Sequence, residues 1–408
     1  MLSISKKNIT LLLSLFLITL LPPFLKQLTY GSSYAVGTVL AGFAILSIIF
    51  IQERRILLVR SDFVLFSIVI LFILAHFLLS WCQSLLVDLE FEYQLYRWAG
   101  SVIALCSMLL SAQLLSNYVS KNITEEQFSK IINFFASIVL LFAFLAIIGF
   151  NPIFVSTETR SFDKPMFVYG EPSHFFLTFG SFILYFLINS KFKNIFMICL
   201  LFILAKIKST VFAVQLLIYS YLSYKKFFII LLVLLSIPIY LNFDYYFSRV
   251  DFFSDNRSLS VNAFISGVMR GYVSLFETNF IGFGLNQFGL SNLDTITSHY
   301  VYGLDVNSET VANKFDGTIL SAKLIGEFGI FGIFFIILYL LFFFKYMIFI
   351  LKSKKDFISS HAILFFMISI YMSFFIDLFV RSPGYFTSHF YLFLLACSYI
   401  QKNSKKIK

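Results

Sequence analysis

Long apolar runs recur along this chain, and they constrain its fold more than any other feature of the sequence. The first occupies residues 9–25, directly after Lys6 and Lys7. A helix of about 20 apolar residues crosses the roughly 30 Å hydrocarbon core of a bilayer. Only 13% of the residues are charged, against about 25% in soluble domains, which excludes a water-soluble globule. The sequence therefore predicts one all-α polytopic membrane domain over residues 1–408.

About twelve transmembrane helices are predicted. They lie at 9–25, 34–51, 62–80, 98–116, 131–150, 174–189, 194–207, 209–224, 227–242, 319–350, 359–380 and 386–401. Every second connection is rich in lysine or arginine, as at Arg54 and Arg55 or at Lys225 and Lys226, whereas most acids lie in the other connections. Because basic connections stay in the cytoplasm, both termini are predicted to be cytoplasmic. The first run has no small-residue cleavage site, so it is interpreted as a retained span.

Two of the predicted outer connections, 151–173 and 243–318, are unusually long. Loops of more than about 15 residues without evident structure are often functional, so these two are the predicted functional loops. Apolar residues recur at steps of three and four in the larger loop, at Val261, Phe264, Ile265, Val268, Tyr272 and Leu275. This spacing predicts a helix there, lying against the membrane.

Several classes of chemistry have no support in the sequence. It contains neither a GxxxxGK[ST] nucleotide loop nor an HExxH metal motif, and its four cysteines are far apart. The net charge of +10 follows from the basic connections, so it is no argument for nucleic-acid binding. We therefore predict no cofactor, no metal and no nucleic-acid partner.

Cationic side chains on the predicted outer side are the most informative polar residues, because lysine and arginine are otherwise sparse there. They are Arg160, Lys164, Lys206, Lys208, Arg249, Arg257, Arg270 and Arg381. Cations near membrane depth are costly, which makes them functional candidates. Simpler roles remain open, namely snorkelling to headgroups for the lysines and local pairing for the arginines. For Arg381, the local partner would be Asp377, one turn earlier.

Three segments carry a resemblance to a known family. RSFDKPMFVYGEPSHFFLTFG (160–180) resembles the outer-loop motif of Wzy-type O-antigen polymerases, in which an arginine precedes an aromatic stretch and E-P-S leads into a span. RGYVSLFETNFIGFGLNQFG (270–289) is similar to the large-loop element of O-antigen polymerases and ligases. KLIGEFGIFGIFF (323–335) is similar to the span that follows that loop.

The resemblance implies a polymerase that joins oligosaccharide repeat units carried on polyprenyl pyrophosphate, at the periplasmic face of the bacterial inner membrane. Its product would be an O-antigen or a capsular polysaccharide, and a chain-length regulator protein is a further conceivable partner. The ligase branch usually has a histidine late in the large loop. Because His299 lies earlier, the polymerase is favoured. Two alternatives stay open: an O-antigen ligase that transfers to lipid A-core, and a flippase for the same lipid-linked sugars.

Such a reaction needs cations for the leaving pyrophosphate and a group that takes the proton of the acceptor hydroxyl. The predicted pyrophosphate ligands are Arg160, Lys208, Arg257 and Arg270. Glu171 is the predicted base, with His174 beside it as an alternative or an orienting partner. A competing role for Glu171 is stabilisation of a helix N-terminus, because Pro172 and Ser173 follow it.

Overall fold

The computed structural model describes residues 5–29, 33–54, 58–86, 93–150, 166–252, 258–290 and 317–404. These residues form seventeen helices, here numbered in chain order. Their bounds are α1 Lys6–Leu28, α2 Ala35–Glu53, α3 Arg60–Leu86, α4 Leu95–Asn122, α5 Glu125–Ile147, α6 Pro172–Asn189, α7 Lys193–Lys206, α8 Thr210–Ser223, α9 Phe228–Tyr240, α10 Phe243–Phe247, α11 Leu259–Glu277, α12 Leu320–Phe328, α13 Ile330–Lys352, α14 Lys355–Ser360, α15 Ala362–Ser373, α16 Phe375–Phe379 and α17 Ser388–Lys402.

The prediction of an all-α membrane protein is confirmed. Within the described residues, eight helical segments are long and apolar enough to cross a bilayer: α1 to α6, α13, and Ala362–Phe379, which contains α15 and α16. The chain is thus a multi-pass membrane protein. Four further predicted spans correspond to α7, α8, α9 and α17, which have only 13 to 15 residues. The total of twelve stays a prediction.

The predicted single span 319–350 is wrong, because the structure divides it at Gly329 into α12 and α13. Gly329 has φ +56°, and a Cβ atom there would lie 2.0 Å from the carbonyl oxygen of Phe280. The backbone of the preceding loop thus packs directly on this glycine, and the continuous apolar sequence conceals the break. The helix predicted within 243–318 is confirmed as α11, which packs closely against α12.

Two opposite ends of the helix bundle can be told apart by their contacts. At one end, Lys193 Nζ donates to the carbonyl of Ser223, and Lys225 Nζ donates to the carbonyl of Leu351. We call this the basic end. At the other end, the Asn242 amide donates to the carbonyl of Ala205, where α7 ends. We call this the cavity end, because a cavity of about 740 Å³ opens there.

Candidate functional site

A cavity of about 740 Å³ at the cavity end collects charged side chains from segments that are far apart in sequence. Its walls come from the start of α6, the α7–α8 turn, the region around α10, the first turns of α11 and the chain after α16. The charged residues that line it are Lys206, Lys208, Arg249, Arg381 and Glu171. Among the described lining residues, four cations therefore face a single carboxylate, which favours an anionic ligand.

Glu171 and Arg381 form the ion pair at the edge of this cavity. Arg381 Nη2 donates to Glu171 Oε2 at 2.8 Å, and Ser173 Oγ donates to the same oxygen at 2.9 Å. Glu171 is the N-cap residue of α6, but its side chain makes no capping hydrogen bond. Its carboxylate is thus held by Arg381 and Ser173, and as the N-cap residue of α6 it also lies where a negative charge stabilises a helix.

The ionisation of Glu171 is governed by these neighbours. Burial by itself opposes ionisation, but His174, Arg381 and the Ser173 hydroxyl together lower the pKa of Glu171 to about 2. Glu171 is therefore a carboxylate at neutral pH. It is a weak base as long as Arg381 has no other anionic partner.

His174 lies on the first turn of α6, behind Glu171. Its Nε2 atom is 4.0 Å from Glu171 Oε2, and its Nδ1 atom is 3.0 Å from the hydroxyl of Tyr34. The ring of Tyr34 in turn lies under the ammonium group of Lys26, 4.2 Å from the ring centroid. The first two helices thus contribute to the environment of His174, which the sequence did not indicate.

Tyr245 contacts two of the cationic residues that line the cavity. Its hydroxyl donates to the carbonyl of Lys208, and its ring stacks with the guanidinium of Arg249 at 4.4 Å. Arg249 Nη1 also donates to Ser260 Oγ at 2.7 Å. The Arg249 side chain is therefore held in one orientation, with cation–π and hydrogen-bond partners on two elements.

The turn that carries Lys206 and Lys208 arises from local sequence. α7 ends at Lys206, Ile207 is extended, and Ser209 caps α8 by accepting a hydrogen bond from the amide of Phe212. Both lysine side chains are exposed. The two short helices thereby place two lysines in the lining of the cavity.

Two buried charged residues, Glu327 and Lys323, lie on α12. Glu327 is fully buried, and its carboxylate accepts hydrogen bonds from the amides of Asn286 and Phe288, at 2.9 and 3.2 Å. Lys323 Nζ lies 3.8 Å from the same carboxylate. The carbonyl of Glu327 also accepts from the amide of Gly284, which has φ +98°. Glu327 therefore fixes the glycine-rich loop that follows α11.

The predicted site residues fall into three groups. Glu171 and Lys208 line the cavity, with His174 adjacent to Glu171. Arg270 is 7% exposed on α11 and does not line the cavity. The predictions for Arg160, Arg257 and the ligase-related His299 lie outside the described residues.

Arg249 and Arg381 are cavity residues that the sequence did not single out from the other cations. Arg381 pairs with Glu171 rather than with Asp377, so the local pairing considered for it is wrong. Asp377 is instead hydrogen-bonded to Nδ1 of His389, whose Nε2 atom lies 3.0 Å from Ser373 Oγ. The side chains of Asp377, His389 and Ser373 are all buried among the helices.

The lowered pKa of Glu171 predicts a pH dependence of stability. Because the pKa is lower in the folded state than the unfolded value of about 4.3, the carboxylate stabilises the fold above pH 4.3, and this contribution is lost as the pH falls towards 2. Between those pH values, the free energy of unfolding of the wild type should decrease by about 2 kcal/mol more than that of Glu171→Gln. Thermal denaturation in detergent at both pH values would measure this difference. Parallel curves for the two proteins would contradict it.

Fold and site together define a multi-pass α-helical membrane protein with a cationic cavity at one end of its bundle. Its described residues hold no group of three or more histidine, cysteine, aspartate or glutamate side chains placed to bind a metal ion. Comparisons with protein-family models, with curated proteins and with solved structures find no match to this chain. The function must therefore be argued from the site itself.

Proposed function

We propose that this protein is a membrane glycosyltransferase that joins oligosaccharide repeat units carried on polyprenyl diphosphate, producing an O-antigen or capsular polysaccharide at the periplasmic face of the inner membrane. The observation that carries the proposal is the cavity in which Lys206, Lys208, Arg249 and Arg381 face one carboxylate, Glu171. The resemblance of segment 160–180 to O-antigen polymerases, and of segments 270–289 and 323–335 to O-antigen polymerases and ligases, supports the same activity.

The cations suit a diphosphate. A guanidinium binds phosphate oxygens through two parallel N–H donors, and it stays charged at any relevant pH. Arg249 and Arg381 supply two such groups, and the two lysines that line the cavity add further positive charge. A volume of about 740 Å³ also lies within the range of about 300–1,000 Å³ typical of small-molecule sites. The cavity can thus hold a diphosphate and the sugar attached to it.

The lengths of α7 and α8 favour a ligand that comes from the membrane. Each helix has 14 residues and is therefore about 21 Å long, shorter than a hydrocarbon core of roughly 30 Å. If Lys193 and Lys225 lie at the bilayer surface of the basic end, these lengths put the Lys206–Lys208 turn several ångströms below the opposite surface. A lipid-borne diphosphate can enter such a recess from the side.

The basic end supports the orientation in this proposal. Lys191, Lys225, Lys226 and Lys352 all lie there, and lysine-rich ends normally stay in the cytoplasm. The cavity end then faces the periplasm, where lipid-linked repeat units are polymerised in the family that the sequence resembles.

In the proposed reaction, a hydroxyl oxygen of the acceptor sugar attacks the anomeric carbon of the donor. The bond from that carbon to the diphosphate oxygen breaks, and polyprenyl diphosphate leaves with the bonding electron pair. Arg249, Arg381, Lys206 and Lys208 stabilise its negative charge, and no nucleotide is consumed. The acceptor proton passes to Glu171, with His174 as the alternative acceptor.

The substrate itself makes Glu171 a better base. Arg381 is one of the groups that lower the pKa of this carboxylate. When a diphosphate shares the guanidinium of Arg381, that stabilisation weakens and the pKa of Glu171 rises towards its usual value. Proton transfer is then favoured only in the loaded site.

Reconstitution of the purified protein in vesicles with a defined polyprenyl-diphosphate-linked repeat unit tests the proposal. We expect glycans longer than one repeat and release of polyprenyl diphosphate, without added nucleotide. Arg249→Ala should slow both by about tenfold or more, because one charge-assisted contact to the leaving group is lost. Lys226→Ala, an exposed cation at the basic end, should leave both unchanged.

Other outcomes would point to the alternatives. Transfer to lipid A-core without chain elongation would indicate a ligase. Movement of the lipid-linked unit between leaflets with neither elongation nor transfer would indicate a flippase. Equal rates for Arg249→Ala and wild type would contradict the assignment of the cavity.

A further inference from the structure

A second cavity, of about 520 Å³, lies at the basic end where α13 meets α14. Three lysines line it, Lys345, Lys352 and Lys354, together with the rings of Phe349 and Phe357. The three lysines are exposed, and no carboxylate of the described residues forms an ion pair with them. The cavity therefore combines three unneutralised ammonium groups with an aromatic wall.

The surface next to this cavity is apolar and faces outward. Leu341, Phe344 and Ile348 are exposed on α13. Only 22% of the residues in the apolar 18-residue segment of this helix are buried inside the protein. Lys345 and Lys352 lie on the same stripe, since positions 341, 345, 348 and 352 recur at helical spacing. One face of α13 thus runs from exposed apolar side chains directly to the cationic cavity.

The position of Lys345 is informative. It lies seven residues before the end of α13, about 10 Å along the helix axis. A lysine at that depth in a lipid-facing stripe extends its side chain towards the headgroups. Its side chain lines the same cavity as those of Lys352 and Lys354, so all three ammonium groups can face one ligand there.

We propose that this cavity binds the headgroup of an anionic phospholipid from the leaflet at the basic end. The phosphate lies among Lys345, Lys352 and Lys354, and an acyl chain follows the stripe of Leu341, Phe344 and Ile348. Basic pockets at the membrane surface are suited to such headgroups. The apolar stripe distinguishes this ligand from free phosphate, which has no group that could cover it. The site is separate from the cavity that contains Glu171 and Arg381.

Native mass spectrometry of the purified full chain tests this site. Protein from nanodiscs of phosphatidylglycerol and phosphatidylcholine in equal amounts should retain one phosphatidylglycerol molecule. The triple variant Lys345→Gln, Lys352→Gln, Lys354→Gln should bind this lipid on the order of a hundredfold more weakly. Each lysine near an anionic surface contributes a similar share of the binding free energy, and the variant loses all three shares. Replacement of the same three residues by arginine should preserve binding.

The matched control removes the same number of positive charges at three exposed lysines that do not line this cavity: Lys7→Gln, Lys191→Gln, Lys226→Gln. It should retain the lipid as the wild type does. Equal loss in both triple variants would overturn the proposal, because net charge alone would then explain the binding. Equal retention of phosphatidylcholine, or displacement of the lipid by millimolar inorganic phosphate, would overturn it as well. Thermal denaturation of each variant identifies any that fails to fold. If the glutamine variant fails to fold, loss of the lipid from a folded arginine variant would still overturn the proposal.

Discussion

Replacing Arg381 by alanine is expected to lower the rate of glycan polymerisation by about 10²–10³-fold. This change removes the guanidinium that lies 2.8 Å from Glu171 in the cavity and, under the proposed mechanism, one of the two planar cations that bind the leaving diphosphate. It also leaves Glu171, whose side chain is 20% exposed, without its arginine partner. The length distribution of surface polysaccharide on a gel, and elongation in vesicles, would measure the loss.

Two variants make this result specific. Arg381→Lys keeps the charge but loses the planar fork, so its defect should be smaller than that of alanine. Arg97→Ala removes a cation that does not line the cavity and should leave the chain-length distribution unchanged. Long chains at the normal rate in Arg381→Ala, with normal amounts of protein in the membrane, would contradict the proposed role of Arg381.

Replacing Glu327 by alanine is expected to destabilise the protein by about 3–5 kcal/mol, the range for breaking a buried charge pair by removing one partner. The change removes the acceptor of two amides, those of Asn286 and Phe288, and the carboxylate nearest to Lys323. Buried donors without a partner and an uncompensated buried ammonium are both costly. The midpoint of thermal denaturation in detergent would measure the effect.

A double variant tests the contribution of the two buried charges. Lys323→Met combined with Glu327→Gln removes both charges and keeps one of the two acceptor oxygens, so it should be less destabilised than Glu327→Ala. Ser359→Ala, at an exposed residue of the basic end, provides a control with little expected change. A double variant as unstable as Glu327→Ala would contradict the role of charge burial.

The sequence predicted the features that depend on local composition. Apolar runs indicated membrane helices, and the spacing from Val261 to Leu275 indicated α11, because burial of an apolar stripe follows helical periodicity. The same reasoning missed the break at Gly329, since apolar residues continue on both sides of it. The helix breaks at Gly329 because the backbone at Phe280 packs directly against this residue. The apolar content of the sequence gives no sign of such a contact.

Of the residues predicted for the site, Glu171 and Lys208 line the cavity and His174 lies beside Glu171. The sequence could not select Arg381 from the other outer cations, and it suggested a partner one turn away. The actual partner is 210 residues distant in sequence. Which side chains meet across such a separation depends on how the helices pack.

The sequence by itself determined that this chain is an all-α membrane protein with its basic residues concentrated in alternate connections, because hydrophobic transfer and charge placement act on each segment separately. Only the tertiary structure decided that Glu171 meets Arg381, that Tyr245 orients Arg249, and that Glu327 holds the loop after α11. Ion pairs and hydrogen bonds act over a few ångströms, so they form only where packing brings distant segments together.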